Sequence, residues 1–193
     1  MSHPQSISAM ENSSNNLAIF SMFHYPIQNT EPMMDVTLID VYDYIIGPTA
    51  VNRTRELRSK TDIKEARQYK SKHFDYCTFS GKFNSRSEKD LVQHSGLLCL
   101  DFDHLKNLEE VRHQLLNDDY LETQLLFTSP SGNGLKWIVE IDLTKASHLD
   151  YFLGIQNYLK LTYNLDIDPS GKDICRACFL PHDPNCYINP NLL

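Results

Sequence analysis

The chain has 193 residues, 41% hydrophobic and 10% aromatic, enough apolar mass for one compact domain with a sizeable core. No apolar run approaches the length of a membrane span, and the polar start Met1 to Asn16 lacks the basic-then-apolar layout of a secretion signal. Five cysteines, an odd number, argue for reduced thiols over a disulfide framework, so the expectation is a cytoplasmic protein with no membrane partner.

A net charge of −7 argues by itself against a nucleic-acid partner, but the charge is unevenly spread. Residues 53 to 89 hold 11 of the 18 basic residues against five acids, whereas residues 1 to 52 hold no Lys or Arg. A basic segment in an acidic chain suits a phosphate-handling protein.

In chain order, the Ser- and Asn-rich residues 1–16 read as a flexible tail and residues 17–193 as a single domain. Leu17 to Phe23 reads as a first strand. Asp35 or Thr37 is placed to cap a short helix through Ile46, stopped by Gly47-Pro48, and a second helix is expected from about Thr49 to Arg58. Asp62 with Glu65 resembles a capping box for a third helix, with Ile63, Ala66 and Tyr69 along one stripe. Lys60, Lys64, Arg67 and Lys70 recur at spacings of three or four, so they can project together as a nucleic-acid-binding face.

Tyr76 to Phe83 alternates like one strand interrupted by Gly81, followed by a polar loop. Gly96 to Asp103 then reads as a buried strand that ends with Asp101 and Asp103 on one face and Leu98, Leu100 and Phe102 on the other. Asn107 with Glu110 begins a helix whose core side is Leu108, Val111 and Leu115. Gln124 to Thr128, the turn Ser129 to Gly134 and Leu135 to Ile141 form a hairpin. Thr144 is expected to begin the longest helix, with Leu149, Phe152, Leu153 and Leu159 on its core side, and short strands and turns fill Leu165 to Asn189. The order fits an α+β fold: an antiparallel or mixed sheet with helices packed on it.

Three stretches carry chemistry. Two carboxylates on one strand face repel each other, and a divalent, oxygen-seeking cation such as Mg²⁺ or Mn²⁺ removes that cost. Ser129-Pro-Ser-Gly-Asn-Gly-Leu-Lys136 joins small residues, whose backbone can approach a ligand closely, to a cation suited to phosphate. Leu165-Asp-Ile-Asp168 repeats the paired carboxylates, and Arg176 follows.

In this order the three motifs resemble the signature of the archaeo-eukaryotic primase superfamily, the primase–polymerase fold, and within it the VirE N-terminal-like branch of bacterial mobile-element proteins. Phe79 to Arg86, Ser95 to Asp103 and Phe179 to Pro190 are similar to that branch. The resemblance implies an RRM-like sheet and a metal-dependent nucleotidyltransferase acting in mobile-element replication. Asp101, Asp103 and Asp168 would be catalytic metal ligands, and Ser131, Gly132, Gly134, Lys136 and Arg176 would contact an NTP or dNTP. A single-stranded DNA template is the implied partner, and a helicase region in a longer primase–helicase chain is the other. Many superfamily members have His where this chain has Lys136. A lysine stays cationic near neutral pH, so the change favours phosphate binding over proton transfer.

Two readings of other classes stand beside it: a non-catalytic nucleotide- or single-stranded-DNA-binding module that positions a helicase, and a sugar-nucleotide transferase built on Asp101 and Asp103 alone. Cys175, Cys178, His182 and Cys186 are also spaced close to a zinc knuckle.

Overall fold

A computed structural model describes residues 17–193. The expected tail, residues 1–16, lies outside the described residues. The fold is mixed α+β, with five α-helices and antiparallel sheets among the described residues.

The first sheet is assembled from β1 (Phe20–Phe23), β2 (Met34–Val36), β3 (Tyr76–Thr78) and β9 (Cys178–Phe179), in the order β2-β1-β3-β9. Between β2 and β3 run α1 (Leu38–Ile46), α2 (Val51–Ser59) and α3 (Ile63–His73). Thr37 caps α1 in a full capping box with Asp40, and Gly47 and Pro48 end it, as their residue types dictate. The second sheet has the order β10-β7-β8-β6, from β6 (Leu97–Phe102), β7 (Thr123–Thr128), β8 (Leu135–Glu140) and β10 (Tyr187–Ile188). Every pairing among the described residues is antiparallel, so for them the mixed-sheet alternative falls away.

Both faces of the second sheet are covered. Leu98, Leu100 and Phe102 of β6 join Trp137 and Val139 of β8 in a core closed by α4 (Leu108–Leu116) and α5 (His148–Tyr163). The opposite face, with Leu97, Leu125, Phe127 and Ile138, packs on β1, α1 and β9. Asn107 caps α4, and Val111 and Leu115 enter the core.

Four details differ from the periodicity reading. Tyr76–Phe83 makes two strands: β3 joins the first sheet, and β4 (Gly81–Phe83) pairs with β5 (Leu91–His94). Gly81 marks the change because a Cβ there would lie 2.6 Å from Leu91 Cδ1 and 2.7 Å from the Gln93 carbonyl. The long helix α5 is capped by Ser147, with Asp150 completing the box, while Thr144 closes a turn on Asp142. Its inward face is His148, Phe152, Ile155 and Leu159, whereas Leu149 and Leu153 are exposed. Finally, α3 buries no residue, and Ile63 is exposed. It is tied to α2 largely by polar contacts, such as Tyr69 Oη donating to Glu56 at 2.9 Å.

Candidate metal and phosphate site

Strand β6 has no solvent-facing row until its end, where Asp101 emerges and Asp103 follows just past the strand, exposed. The β6–β8 register sets Lys136 directly opposite Asp101, and the two side chains form an ion pair with only 14% and 12% of their surface exposed. Asp168 arrives from a distant part of the chain. Its backbone N–H donates to the Asp101 carbonyl at 2.8 Å, which joins the two acids main chain to main chain. One Asp168 oxygen accepts from Ser170 N–H at 2.9 Å, capping the 3₁₀ turn Pro169–Lys172, and the other meets Arg176 at 3.2 Å. One carboxylate oxygen from each of Asp101, Asp103 and Asp168 lies within 4.8 Å of the others.

The electrostatics fit a cation. Burial raises the Asp101 carboxyl above its ordinary range against the pull of Lys136, and the charges of Asp103 and Asp168 raise it further. Burial opposes charge on Lys136, but Asp101 holds its ammonium above the usual lysine value. Burial also works against Asp168, yet the Ser170 hydrogen bonds and the Arg176 charge leave it below the ordinary carboxylate value. Asp101 Oδ1 is buried without a hydrogen-bond partner. An unpartnered buried carboxylate oxygen beside two further acids suits a hard divalent ion, so the donor set fits Mg²⁺ or Mn²⁺.

The turn Ser129–Gly134 closes one side. Gly132 adopts φ +82°, and Gly134 passes so close to β6 that a Cβ would lie 2.1 Å from the Phe102 carbonyl oxygen. These two glycines shape the turn, whereas Ser131 lines the cavity it encloses. Arg58 of α2, to which no site role was assigned from the sequence, holds the turn by donating to the Pro130 and Ser129 carbonyls at 3.2 and 3.3 Å. Arg112 and Asp183 brace its approach: Asp183 accepts from Thr128 N–H at 2.6 Å, and Arg112 donates to Thr128 Oγ1 at 2.8 Å.

A cavity of about 270 Å³ is lined by Asp101 and Asp103, but not Asp168, and by the cations Lys70, Arg86, Lys136 and Arg176. The expected basic face of α3 divides. Lys70 lines the cavity, and its ammonium is lowered from the usual value by burial and by Lys136, against the pull of Asp101 and Asp103. Lys60, Arg67 and Lys70 line an adjoining groove of about 300 Å³ that also reaches Asp103 and Ser131. Lys64 lines neither, and Lys60 is held by Glu65 at 2.6 Å, so the four do not form one surface. Arg86, at the end of the Phe79 to Arg86 stretch, has no spacing signal of its own, and only the fold carries it to the cavity.

The zinc-knuckle spacing is not realised. Cys175 bonds Asp173, Cys178 lies in β9 within the core, and Cys186 is buried. His182 Nδ1 lies 3.1 and 3.0 Å from the carbonyls of Ile45 and Gly47. Among the described residues, Asp101, Asp103 and Asp168 are the metal-competent group, and no helix is long and apolar enough to cross a membrane.

No curated protein and no solved structure matches the chain. A family model described as BT4734-like, N-terminal domain matches residues 68–188, a span that takes in all three acids together with Lys70, Lys136 and Arg176. The chain therefore belongs to the BT4734-like N-terminal domain family.

Proposed function

We propose that this domain is a metal-dependent nucleotidyltransferase of primase–polymerase type, related to VirE N-terminal-like domains and acting in mobile-element replication beside a helicase. The observation that carries this reading is the cluster of Asp101, Asp103 and Asp168 at a cavity that Asp101 and Asp103 line together with Lys70, Arg86, Lys136 and Arg176. Phosphoryl transfer is mainly positioning and charge neutralisation, which calls for this pairing of acids with cations. The three acids would hold Mg²⁺ or Mn²⁺, and a bound ion supplies Lewis-acid neutralisation of the transferring phosphate. Arg176 and Lys70 stand where the triphosphate of an NTP or dNTP would need counter-charge. Lys136, pinned by Asp101, fixes that carboxylate and brings one permanent positive charge to the floor. The adjoining groove, with Arg67 and Lys70, is where a single-stranded template would lie, and its phosphates would make the contact salt-sensitive.

The test is incorporation of labelled nucleotide on a primed single-stranded template with Mn²⁺ or Mg²⁺ against EDTA. Incorporation that needs the metal and disappears in Asp103→Ala and Asp168→Ala is the expected result. One feature favours a second reading, the non-catalytic nucleotide- or DNA-binding module: Lys136 already neutralises Asp101, as suits a site that binds phosphate without chemistry. Salt-sensitive DNA binding with no incorporation under any metal would establish that reading in place of the first.

A further inference from the structure

Behind the acid cluster, two histidines that neither the motifs nor the proposed chemistry use form a continuous chain of hydrogen bonds. Gly96 N–H donates to His94 Nδ1 at 3.0 Å, His94 Nε2 lies 3.1 Å from His148 Nδ1, and His148 Nε2 lies 3.3 Å from the Gly171 carbonyl. The direction of every bond is forced from both ends. A backbone N–H can only donate, so His94 Nδ1 carries no proton and His94 Nε2 does; a carbonyl can only accept, so His148 Nε2 carries the proton and His148 Nδ1 accepts from His94.

The far end of this chain is the loop that presents Asp168. Gly171 N–H bonds the Asp168 carbonyl at 3.2 Å within the same 3₁₀ turn. A Cβ on Gly171 would lie 2.9 Å from the Phe152 ring and 3.2 Å from the Cys99 carbonyl, so the loop is packed tightly against α5 and β6. Besides packing, its polar ties to β6 and α5 include Asp168 N–H on the Asp101 carbonyl and His148 on the Gly171 carbonyl.

We propose that His148, with its tautomer fixed by His94, is a positioning residue that anchors the Asp168 loop and so sets the geometry of the three-acid metal site. This rests on the reading of Asp101, Asp103 and Asp168 as metal ligands. His148 does not touch the ion; it acts through the Gly171 carbonyl, as partners behind a ligand do when they orient it. Glutamine is the conservative replacement, because its side-chain N–H₂ can donate from about the position of His Nε2, whereas leucine fills the space without a donor.

The experiment measures Mn²⁺ binding to the full chain at neutral pH by electron paramagnetic resonance, with circular dichroism to report folding. His148→Leu is expected to weaken Mn²⁺ affinity by about tenfold to a hundredfold. His148→Gln should return it to within about threefold of the starting protein, a rescue that mere packing would not require. If His148→Leu does not fold, His94→Phe reads the same network, since it keeps a ring but removes the donor that sets the His148 tautomer, and it too should weaken Mn²⁺. Unchanged Mn²⁺ affinity in folded His148→Leu or His94→Phe, alongside loss of binding in Asp168→Asn, overturns this inference and leaves the metal site standing. Unchanged affinity in Asp168→Asn overturns both.

Discussion

Replacing Lys136 with Met keeps most of the length of the side chain and removes its charge from the floor of the cavity. The acid oxygens lie within 4.8 Å of one another. At that separation and an effective dielectric constant of about 20, two full negative charges repel by roughly 3.5 kcal/mol. In the intact site Lys136 offsets this repulsion for Asp101, and breaking a buried ion pair costs roughly 3 to 5 kcal/mol. Asp103 is exposed and the pair keeps a little solvent contact, so the lower end applies, about 3 kcal/mol, or roughly 6 to 12 °C in Tm for a domain of this size. A thermal melt followed by circular dichroism in EDTA reads this directly. Added Mn²⁺ should then raise the Tm of Lys136→Met more than that of the starting protein, because the ion replaces the missing positive charge. Equal melting of the two proteins in EDTA would refute the claim that Lys136 holds the acids together.

The turn and the helices give a matched pair of glycine predictions: Gly134→Ala should cost about 3 kcal/mol, since its Cβ meets the Phe102 carbonyl, whereas Gly154→Ala, with nothing within 4 Å on α5, should gain about 0.5 to 1 kcal/mol. Urea denaturation midpoints check both. Burial and the neighbouring His148 lower His94 from 6.5 to about 4, and burial lowers His148 although Gly171 and Asp173 oppose it. The unfolded chain therefore binds more protons than the fold between those values, so this stability is full above about pH 6.5 and is lost as pH falls toward 4. Tm measured from pH 7 to pH 4.5 should fall less in His148→Gln than in the starting protein, and parallel curves would contradict the argument. For the groove, Arg67→Ala and Lys70→Ala should each weaken single-stranded DNA binding and reduce its salt slope by about 0.7, while Lys64→Ala leaves both unchanged, as fluorescence anisotropy can show.

What was legible in the sequence was local. Thr37 and Asn107 announce their helices because a cap needs only the next three residues, and Asp101 and Asp103 fall on one side because strand alternation is a two-residue rule. The start of α5 is ambiguous for a local reason too, since Thr144 and Ser147 are both good caps, and its apolar residues offer two faces, of which the fold buries Phe152, Ile155 and Leu159 and leaves Leu149 and Leu153 exposed. The pairing of Asp101 with Lys136 depends on the register of two strands separated in the chain by α4 and β7, and the delivery of Asp168 to Asp101, of Arg58 to the Ser129–Gly134 turn and of Arg86 to the cavity depends on contacts between distant elements, none of which has a local signature. His94 and His148 belong to no spacing pattern at all, and only the geometry of three hydrogen bonds reveals them as a unit. The basic run from Lys60 to Lys70 illustrates the converse: its spacing is regular, yet Glu65 claims Lys60 and the helix turns Lys64 away from both cavities.

The bond from Asp168 N–H to the Asp101 carbonyl fixes the main-chain separation of two of the three acids, whichever rotamers their side chains adopt. A site of fixed width sorts its occupants by radius. Under the proposed reading, a small ion that accepts short, near-octahedral bonds would sit between these walls, while a larger one such as Ca²⁺ would have to prise two strands of main chain apart. Under that same reading, Asp168→Glu, which extends the side chain by a methylene without moving either wall, should change the preference among ions more than the affinity for any one of them.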